Sequence, residues 1–71
     1  MKPIFTGPRR QASILARMLR AQHVEAVMMF TEAAGQGAVY VPDDTDAEDQ
    51  RAIDRAIEAS EIEYDAEGRN E

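Results

Sequence analysis

The chain contains no cysteine, no tryptophan and one histidine, His23. Without thiols it has no disulfide staples, no thiol chemistry and no cysteine-based zinc site. A single imidazole cannot supply the histidine pair that zinc and iron sites use. Ser13 and Ser60 have no His–Asp companions for nucleophilic catalysis. Large apolar residues are scarce as well. Leu, Ile, Val and Phe number 13 of 71, about 18%, which sits at the edge of the range where chains stay unfolded. Alanine contributes another 12 residues, so the core is diluted. No run approaches the roughly 18 apolar residues of a membrane helix. The start, residues 1–10, lacks the apolar stretch of a signal peptide, and a cytoplasmic location is the expectation. The length allows one small domain, near the limit at which a single core suffices.

What the chain has in quantity is charge, and the charge is divided. Eight Lys and Arg stand against fourteen Asp and Glu, a net of -6. Residues 1–42 hold Lys2, Arg9, Arg10, Arg17 and Arg20 against Glu25 and Glu32, five minus two, or +3. Residues 43–71 hold twelve acids against Arg51, Arg55 and Arg69, or -9. Such a negative half repels a nucleic-acid backbone and attracts basic surfaces. The expected partner is therefore a basic protein surface, such as that of a nucleic-acid-handling complex. Neither nucleic acid directly nor a membrane is expected.

The periodicity supplies an architecture. Lys2 to Phe5 reads as a strand, and Pro8 marks the start of a helix. Gln11, Ala12, Leu15, Met18 and Leu19 share one helical face, with Arg9, Arg10, Arg17 and Arg20 opposite. Val24 to Phe30 alternates in the strand sense: Val24, Ala26, Met28 and Phe30 one way, Glu25, Val27 and Met29 the other. Residues 33–37 are a turn and Ala38 to Val41 the returning strand, giving a hairpin. Thr45 and Glu48 have capping-box spacing before a second helix with Ile53, Ala56, Ile57 and Ser60 inward. Glu61-Ile62-Glu63-Tyr64 alternates as a fourth strand, with Ile62 and Tyr64 inward. Residues 1–65 then form one α+β domain, and 66–71 a disordered tail. The β-α-β-β-α-β order fits a ferredoxin-like two-layer sandwich, a four-stranded antiparallel sheet with two helices on one face. Its competitor is a chain whose acidic part after Val41 folds only on binding.

Residues 11–19, then His23 to Ala26, then Val39-Tyr40-Val41-Pro42-Asp43-Asp44 carry a resemblance. They resemble a family of small bacterial signal-transducing domains of unknown function. The resemblance implies this fold over most of the chain and brings no catalytic residues. In general type the chain also resembles small acidic phage anti-CRISPR inhibitors, which are short, acidic and without catalytic groups.

Each cluster has a plainer explanation beside its functional one. Acids at 43–49 could suggest a calcium loop. Counted from Asp44, however, the sixth position is Asp49 where glycine is needed, and the twelfth is Arg55. A capped helix start explains the same acids. His23 suits a helix C-terminus, and residues 35–37 suit a hairpin better than a phosphate loop. The arginine face suits solvent, partly neutralised by the acidic helix, or else an acidic partner or phosphate. No catalytic residue, metal or cofactor is expected, and the chain is not expected to be an enzyme. Two surfaces are the candidate sites. One comprises Asp43, Asp44, Asp46, Glu48, Asp54, Glu58, Glu61 and Glu63, carboxylates that imitate a phosphate backbone and occupy a partner's nucleic-acid channel. The other comprises Val27, Met29 and Tyr40 on the uncovered sheet face, suited to a homodimer or a regulatory partner.

Overall fold

Pro8 is where the first strand becomes the first helix. In the computed structural model, which describes residues 1–69, strand β1 (Lys2–Pro8) runs directly into helix α1 (Arg9–Ala21). Pro8 occupies the cap position with an extended backbone and no side-chain cap. The Arg9 N–H instead donates to the Gly35 carbonyl at 2.9 Å, so the hairpin turn satisfies the helix start. Strands β2 (Val27–Phe30) and β3 (Gln36–Val41) follow, then helix α2 (Ala47–Arg69).

The sheet has the order β1-β3-β2, with β3 antiparallel to both neighbours. β1 and β2 are therefore parallel, and α1 links them across β3 as a split β-α-β unit. The core contains Ala12, Leu15 and Leu19 from α1, Val39 and Val41 from β3, and Ile53 and Ala56 from α2. Both helices thus share one side of the sheet. Small residues set the spacing: a Cβ on Gly37 would meet the Ala12 Cβ at 3.3 Å, so α1 rests almost directly on β3. In β1 the register slips between Pro3 and Phe5. The bulge turns both Ile4 and Phe5 toward the core.

The chain is α+β, as expected, with three strands rather than four. Glu61-Ile62-Glu63-Tyr64 is helical. The inward series Ile53, Ile57, Ser60, Tyr64 keeps its helical spacing through this stretch, and no glycine or proline interrupts α2 before Gly68. Alternation over four residues is too short to override that. Ile62 consequently points outward, 65% exposed, while Tyr64 is half-buried. The tail expected at 66–71 is helix as far as Arg69, and Asn70 and Glu71 lie outside the described residues.

Capping also differs by one residue. Asp46, not Thr45, begins α2: its Oδ1 accepts the Asp49 N–H at 2.8 Å and its carbonyl the Gln50 N–H at 2.9 Å. Thr45 Oγ1 accepts from Lys2 Nζ at 3.0 Å, which ties β1 to the loop before α2. At the other end of α1, His23 sits where a helix C-terminus needs it. It adopts φ 62°, its N–H donates to the Arg20 carbonyl at 3.0 Å, and the Val24 N–H donates to the Leu19 carbonyl at 2.9 Å. Those two bonds are a Schellman cap.

Candidate interaction surfaces

The eight candidate carboxylates do not form one surface. Each residue of an α-helix advances about 100° and about 1.5 Å. Asp54, Glu58 and Glu61 follow i, i+4, i+7 spacing and lie on one exposed line of α2. Asp65 continues that line at i+11, and was missed because a strand ending at Tyr64 leaves it beyond the last element, at the edge of the domain. The four span about 16 Å along the axis. Glu63 is two residues from Glu61, about 200° round the helix, so it faces the opposite side. In a strand the two would have shared a face. Glu48, in the first turn, lies roughly a third of a turn from the stripe. Asp43 and Asp44 are exposed in the preceding loop, where Asp43 accepts from the N-terminal amine at 3.5 Å. Asp46 is committed to the cap.

Among the described residues, Glu58, Glu61 and Asp65 make no ion pair, and Asp54 accepts only from Gln50 Nε2 at 3.1 Å. The stripe is not wholly polar: Ile62, between Glu58 and Asp65 on adjoining turns, presents its side chain to solvent.

The sheet face away from the helices carries the second candidate set. Register places Val27 opposite Tyr40, with Pro3 opposite Tyr40 on its other side. The next row outward-facing is Thr6, Ala38, Met29. Val27 is 38% and Met29 55% exposed, and Tyr40 is half-buried. Residues 27, 29 and 40 therefore lie together, as their alternation predicts.

A third surface combines features that the sequence separates. Arg9, Ser13 and Arg17 recur every four residues along the flank of α1, and with Met28 and Phe30 of β2 they line a groove of about 440 Å³. Phe30 is on the helix side of the sheet yet 64% exposed, beside the first turn of α1, which begins at Arg9. The Arg9 guanidinium lies 4.3 Å from the Phe30 ring centroid and its Nε donates to the Gln36 carbonyl at 3.3 Å. At the groove's far end Arg10 pairs with Glu67. That is the only ion pair between the helices among the described residues, and Arg9 and Arg17 make none there. The cation–π contact joins residues 21 apart in sequence, and no local pattern announces it.

No helix among the described residues is long and apolar enough to cross a membrane. No protein-family model, curated protein or solved structure matches this chain.

Proposed function

We propose that the chain is a non-enzymatic protein-binding inhibitor whose acidic α2 surface occupies the basic, nucleic-acid-binding surface of a partner protein. This is the mode of action expected of an anti-defence or anti-CRISPR type of protein. One observation carries the reading: Asp54, Glu58, Glu61 and Asp65 stand in a single exposed file on a rigid helix, largely unpaired. Carboxylates placed only for solubility need no alignment, and this alignment has a cost. Like charges three and four apart on a helix oppose one another, as Asp54 with Glu58, Glu58 with Glu61 and Glu61 with Asp65 do. A basic channel relieves this repulsion, and Ile62 beside the file adds an exposed apolar contact.

Capture from bacterial lysate at low and high salt, with duplex DNA as competitor, tests the reading. The expected outcome is a basic nucleic-acid-binding protein, recovered at low salt and displaced by either the duplex or salt. A salt-resistant partner, or one indifferent to the duplex, contradicts it.

A second reading rests on the sheet face. The register that sets Val27 beside Tyr40, with Met29 in the next row, supports a regulatory or signal-transducing module that dimerises or docks through this face. Its signature is association that tolerates salt and is lost in the Val27→Ser, Met29→Ser double variant, measured by light scattering.

A further inference from the structure

We propose that the free edge of β2, together with the arginine groove beside it, binds an extended acidic segment of a partner protein as an added strand. The two edges of the sheet differ in kind. β1 carries Pro3, Pro8, Lys2 and a bulge, which are devices that blunt an edge against pairing. β2 is Val27-Met28-Met29-Phe30, without charge, proline or bulge, and among the described residues pairs only with β3.

The phase of the ladder shows which backbone groups are available. The Thr31 N–H donates to the Gln36 carbonyl at 3.3 Å, toward β3. Antiparallel strands alternate the direction of their backbone groups, so residues 29 and 27 also face β3. The N–H and C=O of Met28 and Phe30 face outward. Ala26 has the same phase, and its carbonyl accepts from Arg20 Nε at 3.3 Å. Arginine thus already caps the start of this edge and leaves the next two residues open.

Charge selects the occupant. A strand laid on Met28 and Phe30 turns alternate side chains toward α1 and toward the open sheet face. Those on the α1 side meet Arg9, already oriented by the Gln36 carbonyl and the Phe30 ring, and Arg17 one helical step beyond Ser13. Those on the other side lie beside Val27 and Met29. Carboxylates alternating with apolar residues satisfy both faces. A second copy of the chain fits poorly. Pairing through the same edge offers only Val27 to Phe30, which bring no carboxylate to Arg9 and Arg17. Nucleic acid has no ladder of amide N–H and C=O groups to pair with Met28 and Phe30.

The probe is an acetylated, amidated hexapeptide alternating Val and Glu, titrated to millimolar concentration into the full ¹⁵N-labelled chain. The largest amide shifts are expected at Met28 and Phe30, with hydrogen exchange there slowed about tenfold at saturation. The alternating Val–Lys peptide, and a Val–Glu peptide N-methylated to remove its pairing N–H groups, are expected not to bind. An Arg9→Glu, Arg17→Glu double variant, exposed at both positions, is expected to fold and to prefer the lysine peptide. Four results overturn the proposal: no binding, shifts centred elsewhere, equal binding of the N-methylated peptide, or stronger perturbation of these amides by a single-stranded oligonucleotide. None of these outcomes depends on the role of α2.

Discussion

At the scale of single residues, the molecule places side chains in positions that carry measurable stability. His23 occupies a left-handed backbone conformation that glycine adopts freely. His23→Gly is expected to stabilise the chain by about 0.5–1 kcal/mol, the relieved backbone strain being partly offset by unfolded-state entropy. Denaturant unfolding measures it; a loss of stability would show that the imidazole itself contributes. Asp46 gives the opposite sign. Asp46→Ala removes the only side-chain cap of α2 and is expected to cost about 1 kcal/mol. Thr45→Ala leaves that cap intact and is expected to cost less. The ordering of the two separates the observed cap from the capping box that Thr45 and Glu48 suggest in sequence.

Elements were legible in the sequence where their period was long and opaque where it was short. The 3.6-residue repeat of α1 is present in the fold. The strand read over Val24 to Phe30 forms only over Val27–Phe30, with Val27 and Met29 outward as expected. Residues 24–26 are left as the irregular connection from the Schellman cap. Four alternating residues at 61–64 suggested a strand, and continuation of the Ile53, Ile57, Ser60, Tyr64 series made them helix. The error propagated to the candidate site. It united Glu61 with Glu63, which α2 sets on opposite sides, and left Asp65 beyond the last element. The groove between α1 and β2 was not legible, because it depends on the tertiary approach of Arg9 to Phe30. Two isoleucines discriminate the assignments. Ile53→Ala, at a fully buried position, is expected to cost about 2–5 kcal/mol. Ile62→Ser is expected to fall within about 0.5 kcal/mol of the parent. A cost at Ile62 comparable to that at Ile53 would place Ile62 in the core, as a fourth strand requires.

For the whole molecule, the divided charge becomes a spatial division: arginines on the flank of α1 beside β2, and carboxylates in file along α2. Among the described residues, Arg10 with Glu67 and the N-terminal amine with Asp43 are the ion pairs that join the two halves. Arg9 and Arg17 on one surface and Glu58, Glu61 and Asp65 on the other make no ion pair among those residues. Because the acidic file is unfavourable within the isolated helix, removing it should not harm the fold. The Glu61→Gln, Asp65→Asn double variant is expected to gain about 0.5–1 kcal/mol in denaturant unfolding. A loss of stability would mean that those acids serve the fold. The most direct test of the inhibitor reading compares three proteins against the captured basic partner at low salt. These are the parent, the Asp54→Asn, Glu58→Gln, Glu61→Gln, Asp65→Asn variant, and a control with Glu48→Gln and Glu63→Gln. The file variant is expected to bind about ten- to a hundredfold more weakly, while the control stays within about threefold of the parent. Equal weakening of both variants would reduce the acidic file to bulk charge, and unchanged binding by the file variant would contradict the proposed function.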